Sequence, residues 1–151
     1  MPTDLWNFAI TLYARPDAES ACLQLQASGA NVCLLLTALW LESRQVPYSA
    51  TRGAALQALA GPWHEEVIKP LRQLRQDWRT EAQHNQQLGL LREQVKALEL
   101  QAEKALLARL EHCSEGWLGG KTGSWLDNLA GAAGRDNRDA LESLRIAAVT
   151  V

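Results

Sequence analysis

Val32-Cys33-Leu34-Leu35-Leu36-Thr37-Ala38-Leu39-Trp40-Leu41 is apolar on every face of a helix, with Asn31 before it and Glu42-Ser43-Arg44 after it. A helix with no solvent side must be covered all round by other elements, so this stretch is expected to form the centre of the core. Asn31 is suited to cap it, and Val46-Pro47 takes the chain out, because proline drives the residue before it away from the helical region. The predicted central helix thus occupies about 31–45. Cys33 is its only reactive group and reads as a small, buried, inert thiol, since the sequence places no base beside it.

Upstream, Leu5, Phe8, Ala9, Leu12 and Tyr13 recur with helical spacing behind Thr3 or Asp4 as cap, and Trp6 and Ile10 add a second apolar stripe. Arg15-Pro16-Asp17 ends that helix and starts another, whose inward stripe is Ala18, Cys22 and Leu25 and whose left-handed terminator is Gly29. Downstream, Ala54 to Leu59 predicts a short helix of small residues closed by Gly61. Pro62 then opens the next helix, with Trp63, Val67, Leu71, Leu74 and Trp78 as its stripe and a kink at Pro70. The longest pattern runs from Gln87 to about Glu115, through Leu88, Leu91, Val95, Leu98, Ala102, Ala105, Leu106, Leu110 and Cys113. Its drift away from a strict heptad favours an antiparallel hairpin with the preceding helix, over about 62–115, and disfavours an extended coiled coil.

Residues 116–123, beginning Gly116-Trp117-Leu118-Gly119-Gly120, read as a glycine-rich linker between a helical core domain, 1–115, and a C-terminal helical segment, 124–151, packed on that core. In that segment Ser124 precedes Trp125, Leu126 and Leu129, and a final helix carries Leu141, Leu144, Ala148 and Val151. No stretch alternates with the period of a strand. The fold class follows: all-α, a single-domain bundle of about seven helices around the buried central one.

Length and composition agree with this class. The chain has 151 residues, 47% of them hydrophobic, and a net charge of −2, which predicts no global attraction to nucleic acid or an anionic surface. Three cysteines, two of them in apolar helical sequence, suit reduced thiols. The longest apolar run is ten residues counting Thr37, about half of what a bilayer crossing requires. With no basic-then-apolar leader at the N-terminus, a soluble cytoplasmic protein is expected.

The chemistry-bearing clusters are sparse. Gly119-Gly120-Lys121-Thr122 resembles the end of a phosphate-binding loop, but Glu115 stands where the first glycine belongs and a helix precedes it in place of a strand. His64, His84 and His112 lack metal-ligand spacing, and Ile68 occupies the place of the second histidine that a His64-Glu65-Glu66 zinc helix would need. No catalytic residue, cofactor or metal is assigned. Lys69, Arg72, Arg75 and Arg79 form a basic stripe, expected to face away from the tryptophan stripe and extendable by Arg92 and Lys96. Such a surface can take phosphates of RNA or an acidic partner, or be a solvated face. Six tryptophans are many for this length. Trp117 and Trp125, flanking the linker, are candidates for docking a partner if they do not simply pack the C-terminal segment.

Leu5-Trp6-Asn7-Phe8, Tyr13-Ala14-Arg15-Pro16, Ala21-Cys22-Leu23, Asn31-Val32 through Leu39-Trp40-Leu41, and Trp63 with Val67 and Pro70-Leu71-Arg72 together resemble a family of uncharacterised small helical bacterial proteins, a domain of unknown function. The likeness runs from about Leu5 to Glu111. It implies a soluble, all-helical bacterial protein and carries no catalytic residue with it.

With no catalytic constellation and ample amphipathic surface, the leading functional expectation is a non-enzymatic helical module that binds another protein. Two alternatives stand beside it. One is a binder of small apolar ligands, or an enzyme, with a pocket between the first, central and Trp63 helices and with Tyr13, Tyr48, Arg15 and His64 as polar handles. The other is an RNA- or ribosome-associated protein using the basic stripe.

Overall fold

The computed structural model describes residues 4–117, 124–149 and 151. Every regular element among them is helical: α1 (Leu5–Tyr13), α2 (Pro16–Ala27), α3 (Val32–Ser43), α4 (Ala50–Trp63), a π-helical turn (His64–Ile68), α5 (Lys69–Asp77), α6 (Arg79–Ala82), α7 (Gln86–Cys113), α8 (Trp125–Asp136) and α9 (Arg138–Val149). The helices pack on one another as an all-α bundle.

The centre is α3. Every residue from Cys33 to Leu41 is buried, and α1, α2, α4, α7, α8 and α9 all touch this helix. Asn31 caps it by accepting a hydrogen bond from the Cys33 amide at 3.1 Å, and the one hydroxyl it buries, Thr37 Oγ1, donates to Cys33 O at 2.7 Å. A buried polar group bonded in this way loses little relative to water. The entry to α3 is set by Gly29, whose φ of +99° reverses the chain after α2. Its exit passes through Gln45 at φ +57°, a conformation usually left to glycine, and there Val46 N–H returns to Leu41 O at 3.0 Å.

The hairpin is present, but its first arm begins earlier than the sequence pattern implies. Gly61-Pro62 does not separate two helices, because α4 runs through both residues. Most of the penalty for a helical residue before proline comes from a clash with its Cβ, which Gly61 lacks, so Pro62 costs one backbone hydrogen bond and leaves the helix continuous. The chain also passes Pro70 without a break. The irregularity lies one turn earlier, where Lys69 N–H bonds to His64 O and closes a π-turn. A π-turn adds one residue to the ring and advances the phase of all later side chains by about 100°.

That change of phase accounts for two departures. No residue of α5 is fully buried, and Leu74 is 37% exposed. Arg72 and Arg75 turn toward α7 instead of away from the core. The α7 seam is likewise narrower than its heptads suggest: Val95 and Ala102 are buried but Leu91 and Leu98 are half exposed.

Beyond the linker, α8 lies on α3 and α9 on α2. Trp125 is fully buried; its Nε1 donates to Val46 O at 2.8 Å, and its ring meets the edge of Tyr48 at 5.0 Å and stacks on Trp117 at 5.8 Å. The Glu42 carboxylate accepts the Leu126 amide at 2.6 Å, and Asn137 bonds to Gln24 and Ser28 of α2 and its C-cap. Much of the glycine-rich stretch, including the phosphate-loop resemblance at Gly119-Gly120-Lys121-Thr122, lies outside the described residues.

Candidate ligand-binding cavity

Six segments leave a cavity of about 410 Å³ between them, inside the range of small-molecule sites. Its wall on α1 is the face Trp6, Ala9, Ile10 and Tyr13, whose spacing of three, one and three residues brings them to one side of the helix. Cys33 and Leu36 of α3 form the floor, and Leu100, Glu103 and Leu107 of α7 close the far side. The π-turn contributes His64 and Ile68, followed one turn later by Arg72. π-turns recur at functional sites because they aim side chains that a regular helix would point elsewhere.

The lining is mostly apolar, with Tyr13, His64, Arg72 and Glu103 as polar groups where the π-turn and α5 face α7 and α1, and Glu19, Gln26 and Asn31 on the α2 side. Arg72 Nη2 meets Glu103 Oε1 at 3.4 Å, and Arg72 Nε meets Glu99 Oε2 at 3.1 Å. Glu99, only 6% exposed, also receives Arg75 through Nε at 2.5 Å and Nη2 at 3.2 Å. Arg92 Nε donates to the Arg75 carbonyl at 2.8 Å and closes the cluster from α7. The second oxygen of Glu103, the Tyr13 hydroxyl and the His64 ring have no hydrogen-bond partner among the described residues.

Electrostatic surroundings move these groups in consistent directions. Burial, reinforced by the neighbouring Glu99 carboxylate, raises the Glu103 pKa against the pull of Arg72. Burial pushes Tyr13 up to about 12, with Cys22, Glu19 and Glu103 adding to it. His64 is lowered by burial and by the Arg72 guanidinium, which favours its neutral form. Cys33 is raised by burial, its Sγ lying 3.9 Å from Glu103 O, so the floor holds a thiol and not a nucleophilic thiolate. Together these features make a concave apolar site with a few convergent polar groups of shifted pKa.

Of the four polar handles expected for an inter-helix pocket, Tyr13 and His64 line the cavity. Tyr48 packs instead on Trp125, and Arg15 stands at the start of α2. The basic stripe is divided. Lys69 and Arg79 are exposed, Lys69 pairing with Glu65 at 3.3 Å, whereas Arg72 and Arg75 are held in the glutamate cluster and offer no continuous phosphate track. Trp125 is core, and the half-buried Trp117 is stacked on it beneath Arg52, 5.0 Å from that guanidinium carbon, so the pair helps to pin α8 to the body. His112 is exposed beside Glu115 at 3.4 Å, and no group of three or more metal-ligating side chains occurs among the described residues.

Glu99 and Glu103 are the functional residues that the sequence reading passed over. Their signal was available: two carboxylates one turn apart on one arm of a predicted hairpin, matched by Arg72 and Arg75 one turn apart on the other.

The model of a family described as a protein of unknown function, DUF2390, matches residues 4–110. The chain belongs to this family. The match agrees with the resemblance found from Leu5 to Glu111 and takes in every residue that lines the cavity, but not the Trp125 helices. No curated protein and no solved structure matches the chain. Among the described residues, no helix is long and apolar enough to cross a membrane.

Proposed function

We propose that this DUF2390 chain binds a small, largely apolar molecule in the cavity between α1, α3, the π-turn and α7. The observation that carries this reading is the cavity itself, about 410 Å³ of mostly apolar space into which Tyr13, His64 and Glu103 present polar atoms. A concave, mostly apolar site with a few convergent polar groups is the usual form of a small-molecule site. The free state of Cys22, Cys33 and Cys113 supports a reducing, cytoplasmic setting for the same reading.

The test is native mass spectrometry for a retained ligand, followed by thermal-shift screening of apolar metabolites, on the wild type and on Ala9→Phe, which fills the cavity from α1. The expected result is a ligand-dependent rise in melting temperature that Ala9→Phe removes while remaining folded. Absence of a retained ligand, together with a screen in which both proteins are equally silent, overturns the reading.

A second reading, a module that binds another protein, is supported by one separate observation: Leu90, Leu91 and Leu98 on the first half of α7 are 63%, 49% and 50% exposed. Crosslinking of the wild type against Leu91→Lys/Leu98→Lys distinguishes it. A partner captured equally by both proteins refutes a role for this face. RNA association loses support, because Arg72 and Arg75 are engaged within the fold.

A further inference from the structure

We infer that the ligand's head group is a hydrogen-bond-donating cation, an organic amine on an apolar body, received by Glu103. The inference rests on the cavity being a binding site and adds the chemistry of its occupant.

Three observations lead to it. First, among the polar side chains at the cavity, the free oxygen of Glu103 accepts only, whereas Tyr13, neutral His64, Gln26 and Asn31 can each turn an acceptor to a donating head group. An ammonium carries donors only and complements such a set.

Second, the charged groups that line the cavity carry a net negative charge. Glu19 and Glu103 stand against Arg72 alone, and that guanidinium is already committed to Glu99 and Glu103. Lys104, 4.9 Å from the Trp6 ring, is not among the residues lining the cavity. A carboxylate head would meet Glu103 and Glu19 before any uncommitted cation. An ammonium would relieve the repulsion between Glu103 and Glu99, which Arg72 only partly offsets.

Third, the apolar body has a defined place. Leu36 and Leu107 are buried on the floor and far wall, while Ile10 and Leu100 are 45% and 54% exposed at the mouth. Glu103 lies one turn of α7 from both Leu107 and Leu100, so a head group on Glu103 leaves the floor and the rim to an apolar body, the amphipathic arrangement that such sites use for orientation.

The experiment uses three probes that share an octyl chain: octylamine, octanol and octanoate. Each is titrated calorimetrically into the full chain as wild type, Glu103→Gln and Ala9→Phe. For the wild type, octylamine is expected to bind about tenfold more tightly than octanol, as a charge-assisted hydrogen bond would give, with octanoate weakest. Glu103→Gln keeps the shape and an acceptor for Arg72, so it should lose the preference for the amine over octanol. A cooperative thermal transition with wild-type helicity shows that the variant is folded. If octanol binds but octanoate is the tightest probe, or if Glu103→Gln leaves the amine preference intact, the head-group inference is wrong and the cavity reading survives. If the wild type binds none of the three any better than Ala9→Phe does, the cavity reading fails and takes this inference with it.

Discussion

Replacing Glu99 by glutamine should unfold this protein more readily than any surface charge change, and the size of the effect follows from the geometry. The Glu99 side chain is 9% exposed and accepts from Arg72 Nε at 3.1 Å, Arg75 Nε at 2.5 Å and Arg75 Nη2 at 3.2 Å. Glutamine preserves the shape but removes the charge, and its amide nitrogen would point donors at guanidinium donors. Removing one partner of a fully buried pair costs roughly 3–5 kcal/mol, most of it the penalty of the charge left behind. Arg72 and Arg75 are 13% and 25% exposed, so water recovers part of their hydration, and the expected loss falls to about 2–3 kcal/mol. In a chain of this size each kcal/mol lowers the melting temperature by about 2–4 °C, which predicts a drop of about 5–10 °C.

Urea unfolding gives the free energy, and a double-mutant cycle with Arg75→Met gives the coupling, expected to exceed about 1 kcal/mol. The internal control is Glu65→Gln: its pair with Lys69 is 60% and 61% exposed, and its loss should change stability by no more than about 0.5 kcal/mol. If Glu99→Gln also lies within about 0.5 kcal/mol of the wild type with an unchanged denaturant slope, the cluster is not formed in solution. Arg72 and Arg75 would then belong to a solvent-facing basic stripe after all.

Trp125→Ala should cost about 4–5 kcal/mol in the same assay, from a large buried ring and an orphaned Val46 carbonyl, while Trp125→Phe should cost much less; equal, small effects would mean that α8 does not seal α3. Gly53→Ala would place a Cβ 2.8 Å from Tyr48 Cε2 and displace that ring from Trp125, for an expected loss of about 1–3 kcal/mol by thermal unfolding. Gln45→Gly should stabilise the protein by up to about 1 kcal/mol, since it relieves a positive φ at the exit of α3; a loss would show that the Gln45 side chain contributes contacts of its own. The lowered pKa of His64 means that its contribution is fully present above its ordinary 6.5 and is lost as pH falls through the lower folded value. The stability advantage of wild type over His64→Gln should therefore shrink on acidification through that range, against the opposite trend from Glu103 and Glu42, whose raised values give contributions lost as pH rises above 4.5.

What could be read from the sequence was decided by local physics. The α3 run had no polar face, so its burial needed no partner to be named; Asn31, Pro16 and Gly29 signalled boundaries through side-chain capping, a fixed φ and a left-handed turn, and each occurs as expected. The joint at Gly61-Pro62 was misread because each residue alone is a stop signal, whereas together the missing Cβ makes the proline tolerable. The π-turn leaves no compositional mark, yet its one-residue offset rotates everything after His64. For that reason Arg72 and Arg75 face α7 and Leu74 faces out, against the sequence pattern, while Trp63, Val67 and Leu71 pack on the core as their spacing implies. The cavity was partly legible: Tyr13 and His64 followed from which helices must meet, but Glu103, Ile10 and Leu100 required the phase of α7 against α1.

The same offset ties the core to the candidate site. Without it, a regular helix would carry Arg72 and Arg75 by about 100° away from Glu99 and Glu103, leaving the buried Glu99 and the partly buried Glu103 without cations. With it, the arginines neutralise Glu99 in full and Glu103 in part, and the cavity inherits one acceptor that remains open. α3 holds this arrangement from the other side: its first turns, Cys33 and Leu36, floor the cavity, while its exit, from Glu42 to Val46, receives Leu126 and Trp125. The C-terminal helices lie beyond the family match; α8 is anchored at the end of α3 remote from Cys33, and α9 lies on α2. They stiffen the floor without entering the site, so changes at Trp125 should move ligand affinity only as far as they move stability, whereas changes at Glu103 should alter ligand preference with stability nearly constant.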